Sequence, residues 1–197
     1  MVRDDILVAQ SQAGDIEAFE ELVSRNERRV FNLAYRMIGN HEDAVDLAQE
    51  VFIKAFQAIK TFRGEASFST WIGRIAINIC RDELRRRHRR PTDSLDEKVI
   101  LHDGEVSKQY ASPDPGPEEI YEKTELQQKI QRYINDLTPE FRTALVMRDI
   151  GGYSYEEIAE ATQSNIGTVK SRISRARNYL KDKLSSEKEQ IGLSGRQ

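Results

Sequence analysis

The stretch SYEEIAEATQSNIGTVKSRISRAR, residues 154–177, holds two helix signals separated by a few polar residues. Ser154 followed three positions later by Glu157 is a capping box, in which hydroxyl and carboxylate each satisfy a backbone donor of the other. Ile158, Ala159 and Thr162 then give a short amphipathic helix. Ser164 is the expected N-cap of a second helix. Gly167 falls in that helix's first turn, where a missing side chain permits close approach of another helix or of a DNA backbone. At about 100° per residue, Ile166, Val169, Ile173, Ala176 and Leu180 share one apolar seam. Lys170, Ser171, Ser174, Arg175 and Asn178 lie on the opposite arc, flanked by Arg172 and Arg177. A basic arc alone is as well explained by a solvated surface; the capped helix and tight turn before it decide otherwise. A short helix, a turn and a longer basic helix form a helix-turn-helix, whose second helix enters the DNA major groove.

That basic helix sits in an acidic chain of 197 residues with a formal net charge of −3. The charge is segregated. Residues 72–91 carry seven arginines against two acids, and residues 170–183 carry six bases against one acid. Between them, residues 92–125 hold ten acids and three bases. Two basic surfaces separated by an acidic strap suggest two nucleic-acid contacts and one segment repelled by them. No apolar run approaches the ~18 residues of a membrane span, and no basic-then-apolar leader is present, so a cytoplasmic protein with no membrane insertion is expected. The single cysteine, Cys80, excludes an internal disulfide framework and a multi-cysteine metal site, and its apolar neighbours suggest a small core residue.

Working back toward the N-terminus, helical periodicity is nearly continuous and strand alternation nearly absent. Gly14 and Asp15 separate a first helix from a second, whose Phe19, Leu22, Val23, Val30, Leu33, Ala34, Met37 and Ile38 keep helical spacing until Gly39 stops it. Asn40 caps a third helix. There Ala44, Leu47, Ala48, Val51, Phe52, Ala55 and Ile59 make the buried face, while Asp43, Asp46, Gln49 and Glu50 form an acidic stripe opposite. Helicity breaks around Gly64. It resumes in a helix with Ile72, Ile75, Ala76 and Ile79 on its apolar side and Arg74, Asn78, Arg81 and Arg85 on the other. From Thr92 to Pro117 the composition shifts to Asp, Ser, Pro and Gly without a sustained period, as in a linker or long loop. Thr138 and Pro139 then cap and begin another helix. The expected fold class is all-α: two small helical domains, residues 1–91 and 118–185, joined by an acidic linker, 92–117, with a frayed tail over 186–197.

Together the halves resemble the extracytoplasmic-function sigma factors, the small two-domain promoter-recognition subunits of bacterial RNA polymerase. Four stretches carry the resemblance: AGDIEAFEELV at 13–23, DAVDLAQEVFIKAF at 43–56, FRGEASFSTWIGRIAINICRDELRR at 62–86 and YSYEEIAEATQSNIGTVKSRISRAR at 153–177. The family pattern has a proline where this chain has Asn165. The resemblance implies a region 2-like domain and a region 4-like domain, acting on promoter DNA with core RNA polymerase. Asp43, Asp46, Gln49 and Glu50 would dock on the clamp of the largest subunit. An acidic face makes sense as a protein contact, because like charge opposes DNA binding. The loop and helix carrying Phe62, Arg63, Phe68, Arg74, Asn78, Arg81 and Arg85 would capture the non-template strand of the minus-ten element, a combination of aromatics and cations suited to single strands. Phe68, beside two serines, is expected to be the exposed aromatic and Trp71 to be core. Lys170, Ser171 and Arg175, with Ser174, would reach base edges of the minus-thirty-five element, and Arg172 and Arg177 would grip phosphates. The strap would thread toward the RNA exit path, though a disordered spacer has the same composition. Further implied partners are the polymerase flap and a cognate anti-sigma factor; the free chain would be a monomer, used in a stress or envelope response.

Enzymatic chemistry finds no support. His41, Glu42 and Asp43 are adjacent rather than spaced along one helix face as metal ligands are, His88 lies in an arginine run and His102 in the strap. No phosphate-cradling glycine loop or nucleophile elbow occurs, so no catalytic residue, metal or cofactor is expected. An autonomous helix-turn-helix regulator would need a sensing or dimerising domain; the N-terminal half offers a second basic surface and an acidic docking face instead.

Overall fold

The computed structural model describes residues 3–89 and 117–194. The expected linker, apart from Pro117, lies outside the described residues. The helices are α1 (Asp4–Gln12), α2 (Ile16–Ile38), α3 (His41–Ala58), α4 (Phe68–Arg89), α5 (Pro117–Asp136), α6 (Pro139–Leu145), α7 (Tyr155–Thr162) and α8 (Ile166–Ser194). A 3-10 turn, Ile59–Thr61, follows α3, and a π turn, Val146–Ile150, extends α6. No strand occurs among the described residues.

Helix ends follow local chemistry. Asp15 accepts from the Ala18 amide at 3.1 Å, and Asn40 from the Asp43 amide at 3.0 Å, each satisfying a donor that a helix start leaves orphaned. Gly39 closes α2 in the left-handed region, with φ 82°. The Ser154–Glu157 capping box is present in both directions. Two boundaries differ from expectation. Gln163, with φ 51°, ends α7 in a left-handed turn that uses one more residue, so Asn165 rather than Ser164 caps α8. The Asn165 Oδ1 accepts from the Thr168 amide at 2.7 Å. Where the family pattern has proline, this chain therefore has a side-chain cap. At the other end, α8 continues to Ser194, past the start of the expected frayed tail.

Two apolar clusters hold the chain together. The first joins α1, α2, α3 and α4 through Leu7, Leu22, Val30, Val51, Ile72 and Ala76. The second is shared by both halves: Leu33, Ala34, Met37, Ile77, Cys80 and Leu84 pack with Ile134, Met147, Tyr153, Ile158, Val169 and Ile173. Helix α4 is therefore buried along two stripes, one more than its periodicity suggested, and Ile75 is only half-buried. Burial pushes the Cys80 thiol up to about 12, leaving a neutral apolar filler at physiological pH, in line with the core role. The expected seam of α8 begins at Val169, since Ile166 is 38% exposed.

Polar contacts fix the same join. The buried Arg142 guanidinium donates to Met37 O at 2.7 Å, to Leu137 O at 3.2 Å and to Asn135 O, so it ties α6 to the end of α2 and to the end of α5. Gln131 accepts from Arg36 at 3.0 Å and donates to Asn135 at 3.0 Å. Within the first half, Arg87 of α4 bridges Asp43 of α3 at 3.0 Å and Glu83 at 2.7 Å.

Two expectations follow. Gly39 and Gly64 both have positive φ, 82° and 74°, but a methyl at Gly39 would strike the Asn135 side chain whereas one at Gly64 meets nothing within 4 Å. Gly64→Ala should lose ~1–2 kcal/mol, the cost of a left-handed alanine. Gly39→Ala should lose more, because Asn135 must also move, as read by urea unfolding midpoints. Second, hydrogen bonds from Arg86 and then Arg87 hold the Glu83 carboxyl below the ordinary carboxylate range. A depressed native pKa adds stability above the unfolded value of about 4.3 and loses it as pH falls through the native value. Glu83→Gln should therefore be less stable than the parent at pH 7, and the gap should close in acid; a gap unchanged at pH 3 would refute it.

Candidate nucleic-acid and polymerase interfaces

The basic arc of α8 has two parts. Lys170, Ser171, Ser174 and Arg175 are exposed, opposite the buried Val169, Ile173 and Ala176. Their placement follows from the helical period: the apolar seam is drawn into the shared core and the polar arc must face outward. Tyr155 shapes one edge, with Lys170 Nζ at 5.4 Å and Arg148 Cζ at 4.7 Å from its ring centroid. The two flanking arginines are held by the protein itself. Arg172 Nη1 donates to Ser164 Oγ at 2.9 Å, and Arg177 Nε donates to Asp149 Oδ2 at 3.0 Å. No helix packs at Gly167, where an added methyl would meet only Asn165 Oδ1 at 3.4 Å. Behind the arc, Leu145, Leu180 and Leu184 floor a groove of about 390 Å³ rimmed by Asp149, Arg177 and Lys181. The sequence reading missed this groove, because it forms only where α6 and α8 meet.

The second basic surface lies on α4 and the loop before it. Ser67 starts the helix, its Oγ accepting from the Thr70 amide at 3.1 Å. The expectation that Phe68 is the exposed aromatic is wrong: the ring is 2% exposed. Its position one residue after the helix cap turns it inward, where it meets Phe62 at 6.2 Å and Trp71 at 5.6 Å between ring centroids. Phe62 and Trp71, 5.0 Å apart, are half-buried and present the aromatic edge that Phe68 does not. Gln12 anchors this loop by donating to Ile59 O at 3.0 Å and Phe62 O at 2.8 Å. Arg63, Asn78 and Arg85 are exposed. Arg74 and Arg81 are not open: Arg74 pairs with Glu160 at 3.0 Å, and Arg81 donates to Ala161 O at 2.9 Å, both on α7. Desolvation there lowers the Arg81 pKa.

The acidic stripe of α3 forms one wall of a cleft of about 380 Å³ against α4. Asp46 and Gln49 are exposed; Asp43 and Glu50 are half-buried. Asp43 pairs with Arg87, and Glu50 with Lys54 at 2.8 Å. Ile53 and Phe56, 58% and 47% exposed, continue the same surface with apolar area. Neither stood out in the sequence, since both interrupt the buried period of α3 without being polar. Among the described residues no cluster of metal-ligating side chains occurs, and no helix is long and apolar enough to cross a membrane.

These features have counterparts in known proteins. A family model described as Sigma-70 region 2 matches residues 22–90, and one described as Sigma-70, region 4 matches residues 127–180. The RNA polymerase sigma-H factor of Pseudomonas aeruginosa is 39% identical over 180 residues, covering 90% of this chain and 92% of that protein. The ECF RNA polymerase sigma-E factor of Escherichia coli K12 is 38% identical over 181 residues, covering 92% and 94%. Among solved structures, the sigma factor RpoE of Bartonella quintana in complex with the anti-sigma factor NepR superposes with a TM-score of 0.66 at 28% identity, over 86% of this chain and 98% of that one. CnrH, in complex with the cytosolic domain of CnrY, gives 0.65 at 25% identity over 93% and 97%. An all-helical chain with a region 2 carrying aromatics and arginines, and a region 4 ending in a basic helix-turn-helix, belongs to the extracytoplasmic-function sigma factors, the subunits that direct RNA polymerase to promoters.

Proposed function

We propose that the two basic surfaces divide promoter recognition between them. Lys170, Ser171, Ser174 and Arg175 read base edges of the minus-thirty-five element in the major groove, and Arg172 and Arg177 grip flanking phosphates. The observation that carries this is the exposure of all four central residues directly opposite a buried seam. Phe62, Arg63, Arg74, Asn78, Arg81 and Arg85, with Trp71 in the place first given to Phe68, engage the non-template strand of the minus-ten element. Asp43, Asp46, Gln49 and Glu50, extended by Ile53 and Phe56, dock on the polymerase clamp. The groove behind α8 suits an apolar helix of the flap. The region 2-like unit spans 1–91 and the region 4-like unit 118–185. The protein acts in the cytoplasm without catalysis or cofactor of its own, as a monomer when free. Restraint by an anti-sigma factor fits the complexes in which its structural neighbours were solved, and a stress or envelope response fits the sigma-E and sigma-H names of its relatives.

Run-off transcription with core polymerase tests the division of labour. Arg175→Ala should lose about 1–3 kcal/mol on the preferred promoter and relax its preference at one base pair, while Arg172→Ala weakens all sequences alike and lowers the salt slope by about one. Uniform loss in both variants would make α8 an electrostatic anchor only. Reversing Asp46 and Glu50 to lysine should abolish co-purification with core polymerase and leave the helical circular-dichroism signal intact; retained polymerase binding would remove the clamp assignment.

A further inference from the structure

The two arginines that flank the arc of α8 are held in different ways. Arg177 is paired with the carboxylate of Asp149, so a phosphate reaching it must first displace a group of its own charge. Arg172 is paired with a neutral hydroxyl: its Nη1 donates to Ser164 Oγ at 2.9 Å. The other nitrogens of that guanidinium meet no acceptor among the described residues. A carboxylate both orients a guanidinium and cancels its charge. A hydroxyl orients it and leaves the charge in place.

Ser164 can do this because the turn between α7 and α8 holds it still. Gln163 closes α7 in the left-handed region, with φ 51°, and the Ser164 amide donates back to Ala159 O at 2.9 Å. The hydroxyl has a single hydrogen, which goes to Thr162 O at 3.2 Å. What faces Arg172 is therefore a lone pair. Arg172 lies eight positions further along the chain, and long side chains of a helix lean toward its N-terminus. The contact draws its guanidinium back to the end of the recognition helix whose residues meet base edges. A side chain held there in advance does not have to be ordered when DNA arrives.

We infer that Ser164 is a positioning residue for promoter binding: its hydroxyl fixes the Arg172 guanidinium and leaves the unpaired nitrogens to a phosphate beside the minus-thirty-five element. This rests on the reading of Arg172 as a phosphate contact and adds the residue that sets the direction of that contact. Ser164 itself lies outside the basic arc and carries no charge.

Holoenzymes assembled from core polymerase and full-length chains test it, on the duplex that the parent holoenzyme selects from a random pool. Ser164→Ala should weaken binding about two- to tenfold, the effect of ordering one arginine side chain on binding instead of beforehand. Its salt slope should stay that of the parent, because the phosphate contact is still made, while Arg172→Ala lowers the slope by about one. In the Arg172→Ala background, Ser164→Ala should have no further effect. An equal loss in both backgrounds overturns the inference, since the hydroxyl then acts on the turn and not through Arg172. So does parent-like binding by Ser164→Ala beside a weakened Arg172→Ala. Parent-like binding by Arg172→Ala removes the phosphate reading itself, and the positioning role with it.

Discussion

Both halves of this sigma factor are built against one helix. The C-terminal part of α2 gives Leu33, Ala34, Met37 and Ile38 to a core that also contains Met147, Tyr153, Ile158, Val169 and Ile173. Small domains bury too little surface to be comfortable alone, and here the second domain completes its core on the first. The carbonyl of Met37 then becomes the acceptor for the buried Arg142. The orientation of the helix-turn-helix, the exposure of its basic arc and the covering of α4 all follow from where that shared core places α6, α7 and α8.

The energetics of the join are mixed. Apolar burial is favourable at ~25 cal/mol per Å², and the bonds from Arg29, Arg81 and Arg142 to backbone carbonyls are charge-assisted. The Nε donors of Arg29, Arg74 and Arg142 meet no protein acceptor at this join. The exposed pair of Arg177 and Asp149 adds little, as surface ion pairs do.

Charge placement explains how one chain with a negative net charge serves two polyanion surfaces. The acids of α3 line a cleft against α4 and are partly neutralised by Arg87 and Lys54. The acids of α7 are turned instead onto the arginines of α4. Neither set lies on the arc formed by Lys170, Ser171, Ser174 and Arg175, so the potential there stays positive.

Local chemistry made much of this legible without coordinates. The capping box at Ser154 and Glu157, the stop at Gly39, the cap at Asn40 and the period of Val169, Ile173 and Ala176 depend on residues within a few positions of each other, so the sequence by itself determined the helices, the helix-turn-helix and the two arginine-rich surfaces. Three matters required the tertiary structure. Phe68 turned inward because Phe62 and Trp71 close over it, a packing choice between rings that composition cannot rank. The cap of α8 moved to Asn165 because Gln163 adopts a left-handed turn, which few residues other than glycine signal in advance. And α4 has a second buried stripe, Ile77, Cys80 and Leu84, whose partner lies more than forty positions away along the chain. Periodicity records which face of a helix is apolar; only the three-dimensional contact decides what covers it, and here the cover is the other half of the same molecule.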